Sequence, residues 1–194
     1  MSYAGEVRRY LDREAEVLGE LDENEISRVM EILEKARISR KRVYVCGNGG
    51  SAATASHFVG DFNRGASTGL EKRHNFEALN DNAPMMMAVA NDISYEEIFV
   101  EPLKNKLEEG DILIAISGSG NSENVVRAAE YANQHGAVTI GLVGYDGGRL
   151  KKIVQNCIHV NIDNMQIVED IHMVMDHVMM FILSGNRIEK QGND

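Results

Sequence analysis

"VYVCGNGGSAATASHF" (Val43–Phe58) passes from a β-branched and aromatic run into Gly47, Asn48, Gly49, Gly50 and Ser51, and then into an alanine-rich segment. The first run suits a strand and the last a helix. A glycine turn between them presents backbone N–H groups and a helix N-terminus, which together attract an anion. The stretch therefore reads as strand, phosphate turn, helix: the first unit of an α/β fold. Two familiar phosphate fingerprints fail on it. A dinucleotide turn, G-x-G-x-x-G, needs a glycine where Ala52 stands, and a P-loop needs a Lys that is absent after these glycines. The anion expected is smaller than a nucleotide.

The same alternation continues outward. "NFEAL" (75–79) reads as a short strand and "PMMMAVAND" (84–92) as a helix. "SYEEIFVEPLKNKL" (94–107) reads as one helix opened by a Ser94–Glu97 capping box. "DILIAIS" (111–117) is a buried-type strand, followed by a second turn, "SGSGNS" (117–122), and a helix over 121–134. A strand at 137–144, a short helix in "YDGGRLKKIV", a strand at 157–162 and a helix from about 165 to 184 complete the chain. Strands alternating with helices predict a five-stranded parallel sheet with right-handed crossovers, in a three-layer sandwich. Ligands of such sheets lie beyond the C-terminal strand ends, where both turns fall. Before the first strand, apolar spacing predicts helices at 3–21 and 24–38, with Asp22 or Asn24 capping the second. Their apolar residues exceed one packing face, so they pack on the domain or between subunits. The whole chain, 1–194, reads as one domain, with 1–38 as helices for oligomer packing and 41–185 as the α/β core. The segment 63–75, "NRGASTGLEKRHN", predicts a mobile polar loop near the site.

Charge and composition narrow the partner. The 194 residues carry a net charge of −10, which argues against a nucleic-acid backbone but not against a small anion held by backbone amides. Cys46 and Cys157 are too few for a disulfide framework and read as reduced structural residues. The N-terminus is charged from its start, with no signal-peptide core, and no apolar run reaches the roughly 20 residues of a membrane span. These features predict a cytoplasmic protein that meets neither membrane nor nucleic acid.

In the second turn, Ser117, Ser119 and Ser122 surround two glycines at a helix start, a neutral nest suited to a dianionic phosphate monoester. Either serine near the helix could instead be a simple cap. His57 and Asp61, four apart on one helix face, could bind a metal, act as an acid–base pair or form an ordinary surface pair. Glu169, His172, Asp176 and His177 interrupt a late helix rich in Met, Val and Ile and call for partners, unless they face solvent or a subunit boundary. Glu169 and His177 fall on neighbouring faces.

"CGNGGSAATASHF", "ANDISYEEIF", "GDILIAISGSGNS" and "VGYDGG", in this order over roughly residues 3–185, resemble the sugar isomerase (SIS) domain family, and within it the phosphoheptose isomerases. The resemblance implies a flavodoxin-like sheet in a homotetramer, acting on a phosphorylated sugar in heptose (lipopolysaccharide-type) biosynthesis. It implies isomerisation of sedoheptulose 7-phosphate to an aldoheptose 7-phosphate through an enediol. Such a reaction needs a base near carbon and an acid or metal near the oxygens. By resemblance, Asp61 is general base and His177 general acid. Asn48, Gly49, Gly50, Ser51, Asn91, Asp92, Ser117, Gly118, Ser119, Ser122 and Glu169 bind substrate. His57, Asp61, Glu169 and His177 form a set suited to Zn²⁺. The chain departs from the family pattern at Asp61 (usually Glu), Glu169 (usually Gln) and Gly118 (usually Thr), and after Asp61, where Arg-Tyr and Glu-Arg-Pro are missing. The shorter Asp61 withdraws its carboxylate by more than about 1 Å, a distance that matters for proton transfer. A non-catalytic SIS protein, binding a phosphosugar or a replication initiator, is the competing expectation. Isomerisation of another sugar phosphate is the third.

Overall fold

A computed structural model describes residues 2–185 of the chain. Two helices, α1 (Ala4–Gly19) and α2 (Glu23–Ile38), precede β1 (Val43–Cys46). Asp22 caps α2, its side chain accepting from the N–H groups of Asn24 and Glu25. There follow α3 (Gly50–Gly60), a π-helical turn (Asp61–Ala66), β2 (Phe76–Ala78), α4 (Ala83–Asp92) and a 3₁₀ turn (Tyr95–Glu97). The chain continues with α5 (Val100–Lys106), β3 (Ile112–Ser117), α6 (Glu123–Gln134), β4 (Val138–Val143), α7 (Leu150–Ile153), β5 (Asn156–His159) and α8 (Met165–Leu183).

All strand pairs are parallel, in the order β2-β1-β3-β4-β5. Every residue of β1 and β3 is buried, as a sheet covered on both faces requires. Alternate side chains divide between two cores. Val43, Val45, Ile112 and Ile114 pack with Leu33, Phe58 and Met175, beneath α2, α3 and α8. Tyr44 and Leu113 pack with Phe99, Leu103 and Val126, beneath α5 and α6. The three layers are thus written into the period-two pattern of the strands. The connection from β1 runs outward to β2, and β3 lies on the other side of β1. The β1–β3 crevice is therefore a switch point, and both glycine turns open onto it.

Two local expectations are corrected. The helix expected over 94–107 is broken. Ser94 is extended (φ −172°, ψ 162°) and makes no side-chain cap bond, so the capping box is not formed. Pro102 is the reason. It lacks an N–H and would break a continuous helix, so the helix restarts at Val100, where Pro102 falls in the first turn. The segment 63–75 is anchored. It begins inside the π turn, and Asn63 grips the backbone of Phe76 twice, accepting from its N–H (2.8 Å) and donating to its carbonyl (2.9 Å). Ser67 Oγ donates to the Phe62 carbonyl and accepts from the N–H of buried His74. Both cysteines are free thiols, pushed up by burial to about 12 (Cys46) and 11 (Cys157). Among the described residues no helix is long and apolar enough to cross a membrane.

Candidate active site

The serine turn folds around a small cavity of about 100 Å³, lined by Asn48, Ser51, Ser117, Gly118, Ser119, Ser122 and Glu169, among others. Ser117 and Ser122 hydroxyls are 3.1 Å apart. Ser122 is the N-cap of α6 by backbone angle but makes no side-chain cap bond, so its hydroxyl stays with the cavity. The turn is locked from behind by backbone. Gly144 N–H donates to Gly118 carbonyl and Leu150 N–H to Gly120 carbonyl, each at 2.8 Å. Gly120 has φ +65°, and a Cβ there would lie 2.0 Å from the Gly147 carbonyl oxygen. At Gly118, a Cβ would come within 2.5 Å of Met165 Sδ, so a side chain there would require the flexible Met165 to shift.

The first turn meets α8. A Cβ on Gly50 would lie 2.3 Å from a Glu169 carboxylate oxygen, so glycine lets that carboxylate rest on the start of α3. Farther along the same two helices, His57 Nε2 and His177 Nε2 stand 3.1 Å apart. The pairs Gly50–Glu169 and His57–His177 are seven and eight residues apart along their helices. Hence α3 and α8 run side by side in the same direction, and the two contacts lie about 10–12 Å apart.

Around the imidazole pair, His57 Nε2 is 3.5 Å from Asp61 Oδ2 and 3.9 Å from Asp176 Oδ2. The ligand atoms of His57, Asp61, Asp176 and His177 all lie within 4.8 Å of one another. Asp176 therefore occupies the fourth place expected of Glu169, which lines the serine cavity instead. The reason is helical geometry. Asp176 precedes His177 and points beneath the pair from the buried side of α8, whereas Glu169 is two turns back. Asp176 is fully buried, and burial, with Asp61 beside it, lifts its carboxyl to about 8. Asp61 Oδ2 and both Asp176 oxygens are buried without a hydrogen-bond partner. Two imidazole nitrogens at 3.1 Å need a proton or a cation between them, and unpartnered buried carboxylate oxygens need the same. Zinc bonds of about 2.0–2.2 Å put ligands of one ion roughly 3.3 Å apart, so this donor set fits a divalent cation.

Asp61 opens the π turn, a one-turn widening that often marks functional sites. Asn91 and Asp92 end α4, exposed and bonded to each other (2.7 Å), and neither lines the serine cavity. Asn124 was not anticipated. It is buried and exchanges hydrogen bonds with Asn48 across the two turns. Its only sequence signal is its place two residues after Ser122. His172, fully buried on α8, is depressed to about 4 by burial.

The SIS domain model matches residues 2–144. A phosphoheptose isomerase of Fusobacterium nucleatum is 34% identical over 177 residues, 90% of this chain and 86% of that one. Among solved structures, the phosphoheptose isomerase GmhA from Neisseria gonorrhoeae superposes with a TM-score of 0.87 at 24% identity, covering 95% of this chain and all of that one. A phosphoheptose isomerase from Francisella tularensis does so with a TM-score of 0.87 at 25% identity, covering 96% of this chain and all of that one.

Proposed function

We propose, for a chain that belongs to the SIS domain family and is a phosphosugar isomerase, that its substrate pair is sedoheptulose 7-phosphate and D-glycero-D-manno-heptose 7-phosphate. The observation that carries this reading is the spacing of the two polar centres along α3 and α8. The serine cavity holds the phosphate, and the His57–Asp61–Asp176–His177 cluster meets the sugar, about 10–12 Å along the helices from the Gly50–Glu169 contact at the cavity wall. An extended chain gains about 1.2 Å per bond, so eight bonds from phosphorus to C1 of a heptose 7-phosphate span about 10 Å. A pentose phosphate falls short of the cluster.

The chemistry follows from the residues at the far end. Asp61 keeps Oδ2 in the cluster and offers Oδ1 to the sugar, where it takes the proton from C1 of the ketose. His177, exposed beside His57, gives the proton shared at their Nε2 pair to the C2 carbonyl oxygen, which produces the enediol. Asp61, its proton exchanged with solvent at the enediol stage, then protonates C2 while the O1 proton returns to the imidazole pair, which completes the aldose. Zn²⁺ or a similar cation, held by His57, Asp61, Asp176 and His177, would take the place of the proton shared at the Nε2 pair and would supply Lewis-acid polarisation of the sugar oxygens instead. Ser117, Ser119 and Ser122 orient the phosphate with neutral donors, and Gly49, Gly50 and Ser51 present backbone and hydroxyl groups to it. Asn91 and Asp92 reach the sugar hydroxyls from the end of α4.

A homotetramer in the cytoplasm completes the reading. The apolar residues left on α1 and α8 support it: Val7, Leu11, Phe181 and Ile182 are exposed, and Val178, Met180, Phe181 and Ile182 line an open apolar depression beside His177. A non-catalytic binding role leaves the four-group cluster without a task.

The test is an isomerase assay on pentose, hexose and heptose phosphates, with and without Zn²⁺, on protein whose mass in solution has been measured. Conversion of the seven-carbon ketose, strongest with Zn²⁺ and in a tetramer, is the expected result. No turnover on any sugar would overturn the catalytic reading, and faster turnover of a pentose phosphate would overturn the substrate.

A further inference from the structure

We propose that Asn124 and Tyr95 are positioning residues for the phosphate cradle: together they saturate the side chain of Asn48 and so fix the distance between the two glycine turns. The inference rests on the phosphosugar reading and goes beyond it to residues that bind no part of the sugar.

Asn124 sits at the second position of α6, directly behind the serine turn, and is 2% exposed. A carboxamide so buried must have its donors and acceptor occupied. Its Oδ1 accepts from its neighbour, Val125 N–H (2.9 Å), and from Asn48 Nδ2 (2.9 Å). Its Nδ2 donates in return to Asn48 Oδ1 (3.0 Å). The two amides thus form a reciprocal pair. Such a pair tolerates one separation and one tilt, and its partners belong to the loop after β1 and the helix after β3. The spacing between the turns is what decides whether both can touch one phosphate.

Tyr95 closes the remaining freedom. Its hydroxyl donates to Asn48 Oδ1 at 2.9 Å, which fills the second lone pair of that oxygen. Asn48 then has no acceptor left for a sugar hydroxyl. It keeps one Nδ2 hydrogen for the cavity it lines, a donor that suits an anionic oxygen. Tyr95 is 55% exposed, so its ring contributes little to the core and its contribution is the hydroxyl. It also ties the connection between α4 and α5 to the first turn.

The experiment compares wild type with Tyr95→Phe, Asn124→Ala, Asn48→Ala and the Asn48→Ala/Asn124→Ala double variant. KM and kcat for sedoheptulose 7-phosphate, the inhibition constant of inorganic phosphate, and Tm are read for each. Tyr95→Phe, which loses one exposed hydroxyl, should raise KM and the phosphate constant together by about 3- to 10-fold, with Tm unchanged. Asn124→Ala should raise both by about 10- to 100-fold with kcat within about 3-fold of wild type. The double variant should be no weaker than Asn48→Ala alone, because both changes break one unit. A merely structural Asn124 would lower Tm and leave KM and the phosphate constant in place. That result, or additive losses in the double variant, or a Tyr95→Phe enzyme with wild-type constants, overturns the proposal. If wild type itself binds neither phosphate nor sugar phosphate, the phosphosugar reading falls and takes this one with it.

Discussion

Asp176, noticed in the sequence but left out of the expected ligand set, stands in the cluster with His57, Asp61 and His177. It is a carboxylate buried under two imidazoles, with both oxygens unpartnered and its carboxyl held at about 8. Left alone it is a neutral acid at pH 7, and a cation in the cluster makes it an anion. Replacing it by Asn removes a buried acid and a ligand together. Asp176→Asn should therefore melt at or above wild type in chelator, since no buried carboxylate has to be neutralised. It should also lose most of the Tm rise that wild type shows with Zn²⁺, which mass action sets at about 2.7 kcal/mol for zinc at 100 times Kd. Thermal melts with and without Zn²⁺ read both, and an unchanged zinc response in the variant would remove Asp176 from the cation site. The sequence displayed Asp176 as a polar group in an apolar helix that needed a partner. It did not show which partner, because facing is decided by how α8 lies on α3, a tertiary fact.

At the scale of elements, the two turns and the helices behind them explain both what was legible and what was not. "GNGGS" and "SGSGNS" announced themselves because a strand, a glycine turn and a helix start leave a local composition mark. The register of α3 against α8 leaves none, so Glu169, expected both at the phosphate and among the metal ligands, lines the serine cavity while Asp176 stands in the cluster, and Asn124 on α6 was missed because its partner Asn48 lies across the two turns. The break at Ser94 was readable in principle from Pro102, whose missing N–H forbids a continuous helix. The π turn at Asp61–Ala66 has no comparable sequence signal, being held by tertiary bonds from Asn63 to Phe76. The serine turn yields a direct test. Gly120→Ala forces a side chain at φ +65° into the Gly147 carbonyl, which is backbone and cannot step aside. A loss of about 3 kcal/mol or more in urea unfolding is expected, with phosphate affinity lost as the turn shifts. Wild-type stability would mean that the 117–122 and 144–148 turns are not in backbone contact.

For the whole molecule, opposed titrations predict where stability peaks. His74 and His172 are both depressed to about 4 by burial, so between about 4 and 6.5 the unfolded chain binds more protons than the folded one. Each removes stability as pH falls through that window, up to roughly 3 kcal/mol. Asp176 has the opposite sign. Its raised value lets the folded state bind the extra proton, so its contribution falls as pH rises from about 4 to 8. The two histidines outweigh the one carboxyl below 6.5, and the carboxyl acts alone above. Zinc-free protein should therefore show greatest stability near pH 6.5 in urea titrations. Zinc, which keeps Asp176 charged, should erase the decline above that pH. A profile that rises steadily to pH 8 without zinc would contradict this balance. The parallel sheet, its two covered faces and the position of the site at the strand ends were legible, because unbroken apolar strands and alternating elements are properties of the chain itself, whereas the strand order came only with the resemblance.

The central claim is that Asp61 moves a sugar proton from its place in the His57–Asp61–Asp176–His177 cluster. It is tested by incubating sedoheptulose 7-phosphate with the enzyme in D₂O and following C1 and C2 by NMR. Wild type should form the aldoheptose phosphate with deuterium at C2. Asp61→Asn, which keeps the side-chain shape but not the base, should lower both exchange and product by about 100-fold or more while still binding inorganic phosphate. Exchange and turnover at the wild-type rate in Asp61→Asn would contradict the account.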